Sequence, residues 1–111
     1  MELDIQSEHD SDQCVLTLRG EVDVYTAPAL KEKLVDLIES GCTNVVVDLE
    51  GVSFIDSSGL GVLVSGLRRA RERDGAVRIV CTRENILKIF RITGLDKVFP
   101  VFPDITEARQ F

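Results

Sequence analysis

Three observations predict an α/β domain with a mixed sheet whose core strands are parallel. The run Val45-Val46-Val47 is apolar at consecutive rather than alternate positions, the mark of a strand covered on both faces. From residue 26 onward, segments with apolar residues at helical spacing alternate with short strand-like runs. Strands that alternate with helices in this way are joined by right-handed crossovers and lie side by side in parallel. A chain of 111 residues has the length for one core, so a single domain over residues 1–111 is expected.

Each element has its own warrant. Residues 3–5 read as a short edge strand and the polar stretch 7–13 as a turn. Residues 14–19 alternate apolar and polar and read as a strand ended by Gly20. Residues 26–40 read as a helix, with Ala27, Leu30, Leu34, Leu37 and Ile38 on one face, Pro28 in the first turn and Gly41 just past the end. A buried strand follows over 44–49, then a link over 50–55, then a second helix over 56–73 closed by Gly75. Residues 76–81 make another strand and 84–92 a third helix closed by Gly94. Pro100 and Pro103 suit an edge better than a centre, so 98–102 is read as an edge strand, and Asp104 caps a last short helix. The order is β-β-α-β-α-β-α-β-α.

Charge and composition exclude several function classes. The formal net charge is -6, which argues against binding nucleic acid or an anionic membrane. It is unevenly spread: residues 1–67 carry a net -10 and residues 68–97 a net +5. This is either ordinary solvated helix surface or a dipolar face that orients a protein partner. There is no apolar run long enough to span a membrane and no apolar stretch in the acidic N-terminus, so a cytoplasmic protein is expected. Cys14, Cys42 and Cys81 are far apart in sequence without metal-site spacing. Cys14 and Cys81 adjoin apolar runs and read as core, whereas Cys42 follows Gly41 and reads as exposed; redox control by the three is left open. His9 is the only histidine and lies in a polar stretch, so a Ser–His–Asp or Cys–His hydrolase is not expected. Neither common glycine-rich phosphate loop is present. The expectation is a protein that is not an enzyme and has no cofactor or metal.

The informative segment is Phe54-Ile-Asp-Ser-Ser-Gly-Leu-Gly-Val-Leu, which joins a buried strand to a helix. Asp56 or Ser57 is the natural N-cap, and either choice leaves the Ser57 hydroxyl at the helix entrance. Gly59 and Gly61 each cost a helix interior about 1 kcal/mol relative to Ala. Two of them in a first turn leave the backbone bare for a strand, a ligand or a partner to approach. On a helical wheel Leu60, Leu63, Val64, Leu67 and Ala70 form the stripe that faces the sheet. Ser58, Val62, Ser65 and Arg69 fall on the other side, which makes Val62 an apolar residue on a polar, partner-binding face. With no histidine base for Ser57, and Lys88 able to serve only if the fold brings it close and burial lowers its pKa, the chemistry left to an exposed serine there is to be modified.

The segment beginning Asp56-Ser-Ser-Gly-Leu-Gly resembles the signature of the anti-sigma factor antagonists, bacterial regulators built on the STAS domain. The stretch from Gly20 to Pro28 resembles the loop before that family's first helix, and residues 86–100 resemble its third helix and following strand. The density of matches is closest to the actinobacterial type. The resemblance implies a STAS fold over the whole chain and a protein whose unmodified form binds an anti-sigma factor that is also a GHKL-type serine kinase, freeing a sigma factor for transcription. It implies phosphorylation at Ser57, beside Ser58, and reversal by a PP2C-type phosphatase. The resemblance maps the family's acidic loop onto Glu21 and Asp23; together with the helical wheel this gives an expected partner-binding face of Glu21, Asp23, Thr26, Asp56, Ser57, Ser58, Gly59, Gly61, Val62 and Ser65. The alternative is a STAS sensor module that binds a nucleotide or small ligand within a larger signalling assembly.

Overall fold

The computed structural model describes residues 2–10 and 12–110. The elements are β1 (Leu3–Asp10), β2 (Gln13–Val22), α1 (Ala27–Glu39), β3 (Asn44–Ile55), α2 (Ser57–Arg71), β4 (Ala76–Val80), α3 (Glu84–Thr93), β5 (Val101–Phe102) and α4 (Ile105–Gln110), with a 3-10 turn at Leu95–Lys97. They build one sheet in the order β1-β2-β3-β4-β5. β1 is antiparallel to β2, and the remaining pairs are parallel. This is the mixed sheet and the element order that the sequence predicts.

The three valines of β3 divide as a doubly covered strand requires. Val45 and Val47 pack with Leu30, Leu34, Leu63, Leu67, Ile86 and Phe90 under α1, α2 and α3. Val46 points the other way and packs with Val15, Val80 and Ala108, where α4 closes the second face. Alternate side chains of a strand point to opposite faces, so a run with no polar position is the only pattern that serves both layers.

Several boundaries differ from the sequence reading. β1 continues to Asp10 although its second half is exposed, because backbone pairing with β2 holds it. Gly20 does not end β2 but lies within it at φ 119°, where the strand register shifts and a Cβ would sit 2.2 Å from the Glu2 carbonyl oxygen. Residues 50–55 are not a link: they stay paired to β2 as the second half of β3, with Val52 and Ile55 buried. α2 ends at Arg71 rather than 73, and Asp74 takes a left-handed φ of 59° before Gly75. The last strand is only Val101–Phe102, preceded by the 3-10 turn. Cys42 is buried rather than exposed and is joined to Cys14 in a disulfide, with Cα atoms 6.3 Å apart.

α1 and α2 approach closely at Gly66, where an added Cβ would lie 2.3 Å from Leu34 Cδ2. Gly66→Ala is expected to lower stability by about 1–3 kcal/mol through overpacking, despite the gain in helix propensity. In a Leu34→Ala background the same change is expected to be neutral or stabilising, a contrast that a double-mutant cycle of denaturant melts measures directly.

Candidate functional site

The site is made by the way β3 ends. The Asp56 amide donates to the Val22 carbonyl at 3.1 Å, which carries the β2–β3 contact one residue past the strand. Asp56 is extended, with φ -113° and ψ -172°, and its Oδ1 accepts from the amides of Ser58 (2.9 Å) and Gly59 (3.3 Å). The N-cap is therefore Asp56, and it occupies two of the donors that a helix start leaves free. Ser57 becomes the first residue of α2 and its side chain is exposed.

The preceding loop is braced from within. Asp23 is only 4% exposed. Its Oδ1 accepts from the amides of Tyr25 (2.9 Å) and Thr26 (3.0 Å). Thr26 Oγ1 accepts from the Asp23 amide at 3.0 Å and donates to the Glu21 carbonyl at 2.8 Å. These bonds fold the chain tightly between β2 and α1 and turn Val24 and Tyr25 outward, 60% and 82% exposed. Phe54, paired with Glu21 across the two strands, is also exposed. Three large apolar side chains thus stand in water at the end of the sheet where Ser57 emerges. Single exposed apolar residues are ordinary; a group of them at one strand end marks a contact surface.

The structure brings most of the expected residues to this end and redirects three of them. Ser57 and Gly61 are exposed, while Glu21, Thr26, Asp56, Ser58 and Ser65 are half-buried. Ser57, Gly61 and Ser65, four residues apart, share one stripe of α2. Val62 is buried, so it is core and not the exposed apolar residue of a polar face. α1 packs on that flank of α2, so the buried arc is turned from the wheel's stripe toward Val62 and Gly66, and Val64 is left half-buried. Gly59 is buried as well: a Cβ there would lie 2.5 Å from Val22 Cγ1 and 2.8 Å from Ile55 Cγ1. It serves the fit of helix on strands, not a partner. Asp23 spends its carboxylate on the loop and positions Val24 and Tyr25. Phe54 was not singled out by sequence reasoning, because residues 50–55 read as a link rather than a strand.

His9 pairs with Cys14 at the other end of the sheet. Cys81 is buried, and desolvation pushes its thiol above the ordinary pKa, partly offset by a backbone hydrogen bond from Arg83.

The family model for the STAS domain matches residues 4–108. The chain belongs to the STAS domain family. Among curated STAS relatives, it is 33% identical over 101 residues to the anti-sigma-B factor antagonist of Bacillus subtilis, covering 91% of this chain and 92% of that protein. It is 38% identical to the anti-sigma-B factor antagonist of Staphylococcus epidermidis, covering 91% and 94%. The crystal structure of an anti-sigma factor antagonist from Mycobacterium paratuberculosis superposes with a TM-score of 0.90 at 28% identity, covering 98% of this chain and 92% of that one. No helix of the described residues is long and apolar enough to cross a membrane.

The two glycines of this STAS helix separate fold from surface. Gly61 has nothing within 4 Å of an added Cβ. Gly61→Ala is expected to stabilise by up to about 1 kcal/mol. Gly59→Ala is expected to destabilise by about 1–3 kcal/mol, because the new methyl meets Val22 and Ile55. Thermal melts of the two variants check both signs.

Proposed function

We propose that this STAS chain is an anti-sigma factor antagonist acting in the cytoplasm, with Ser57 as its regulatory phosphorylation site. The unmodified protein binds an anti-sigma factor that is a GHKL-type serine kinase, and so releases a sigma factor for transcription. The kinase transfers phosphate to Ser57, and a PP2C-type phosphatase removes it. The chain itself supplies no catalytic group and no cofactor.

One observation carries this reading. Asp56 does the capping, so the Ser57 hydroxyl is left exposed at a helix start, at the same end of the sheet as the apolar group Val24, Tyr25 and Phe54. A hydroxyl so placed is open to a kinase and central to anything that docks there. The contact face combines these residues with Ser58, Gly61 and Ser65, and with Glu21 and Asp56 as its acidic border. Thr26 and Asp23 hold the loop from beneath.

The electrostatics suit a switch. Phosphorylation adds about -1.5 to -2 charges at pH 7. The helix N-terminus tolerates that charge through its amides and dipole. Pressed against a partner beside the carboxylates of Asp56 and Glu21, the same charge must be desolvated and meets repulsion. A cost of about 2.7 kcal/mol already weakens binding a hundredfold.

Wild type, Ser57→Ala and Ser57→Asp, used as baits in lysate of the source bacterium, test the reading. Wild type and the Ala variant are expected to retain a GHKL-type kinase, identified by mass spectrometry, that the Asp variant loses. Equal recovery on all three baits, or no kinase on any, would overturn it.

A further inference from the structure

We propose that, in the reduced protein, His9, Cys14 and Cys42 form a binding site for a thiophilic metal ion of the Zn2+ class, at the end of the sheet remote from Ser57. The three residues come from three segments. His9 lies in β1, directly across the antiparallel ladder from Cys14 in β2. Cys14 pairs in turn with Val45 near the start of β3, and Cys42 lies just before that strand. The potential ligand atoms of all three lie within 4.8 Å of one another. Two sulfurs and one imidazole are the donor set that Zn2+ prefers, and three protein ligands leave the fourth position open.

The surroundings favour a cation. A cavity of about 300 Å3 opens beside the cluster, lined by His9, Asp12, Ser40, Cys42 and Asn44 among others. It gives a path to the Cys42 side of the cluster. Asp12 adds a carboxylate to the lining of the same opening, outside the three-residue cluster. Parallel strands β2 and β3 begin here, so the site and Ser57 sit at opposite ends of the same two strands.

The disulfide and the metal site are alternative states of one sulfur pair. A phosphine reductant takes the Cys14–Cys42 disulfide to two thiols and is itself converted, with water, to the phosphine oxide. The cation then displaces the two thiol protons. Zn–S bonds of about 2.3 Å at a tetrahedral ion put the sulfurs roughly 3.8 Å apart. The Cα separation of 6.3 Å lies toward the long end of what a disulfide spans, so the sulfurs can part to that distance by side-chain rotation. None of this was visible as a motif, since the ligands are separated by 4 and 27 intervening residues and meet only through strand pairing.

The test uses the full chain, reduced with a phosphine and freed of excess reductant, titrated with Co2+ as a spectroscopic stand-in and then with Zn2+. The expected result is one equivalent of Co2+ giving a thiolate-to-cobalt charge-transfer band, displaced by Zn2+, with a rise in melting temperature. Cys81→Ser is expected to keep both signals. His9→Ala, a change at an exposed position that leaves the core intact, is expected to weaken binding by at least roughly tenfold. Cys42→Ser is expected to abolish the band. No charge-transfer band in folded, reduced wild type would overturn the proposal. So would a band lost with Cys81→Ser, or one indifferent to His9→Ala.

Discussion

The hydrogen bond from the Asp56 amide to the Val22 carbonyl closes the parallel contact of β2 and β3 at the point where β3 gives way to α2. It fixes where the helix starts, and Asp56 Oδ1 then fixes its first turn. Ile55 is buried on one side of this junction and Ser57 is exposed on the other. Were the strand one residue longer or shorter, the alternation of a strand would carry the wrong side chain into water. Gly59 belongs to the same constraint, because any larger residue would push the helix off Val22 and Ile55. The exposed serine is thus a product of packing as much as of sequence.

That arrangement separates two tasks. Backbone order at the helix entrance is maintained by Asp56, and loop order by Asp23 and Thr26, all through bonds inside the chain. Ser57 contributes to none of these. A change of charge on its hydroxyl can therefore act on what docks at the surface while the scaffold stays as it is. A module whose modified residue also held the fold would couple affinity to stability, and modification would cost structure. In the proposed switch, negative charge added at Ser57 joins a stretch, residues 1–67, that already carries a net -10.

The sequence was informative wherever local chemistry decides the outcome. Val45-Val46-Val47 announced a doubly buried strand, Asp56-Ser57 an N-cap at one of two residues, and Pro28 and Gly94 a helix start and end, because each rests on the geometry of a few neighbouring atoms. It was misleading where a distant element decides. Val62 read as surface because a wheel knows only one buried direction, whereas α2 is covered by the sheet on one flank and by α1 on another. The second half of β3 read as a link because its polar residues hide a strand held by pairing with β2. Cys42 read as exposed from its glycine neighbour, yet the start of β2 lies over it. Asp23 was legible as part of the site by resemblance, but its role as an internal brace depends on hydrogen bonds that no spacing reveals.

The central claim is that Ser57 changes what this surface binds without changing the fold that presents it. Hydrogen–deuterium exchange on the unmodified and Ser57-phosphorylated protein tests it most directly. The account predicts matching protection across β2, β3, β4 and the body of α2, with differences confined to the loop at residues 21–26 and the first turn of α2. Widespread loss of protection through the sheet in the phosphorylated form would contradict it.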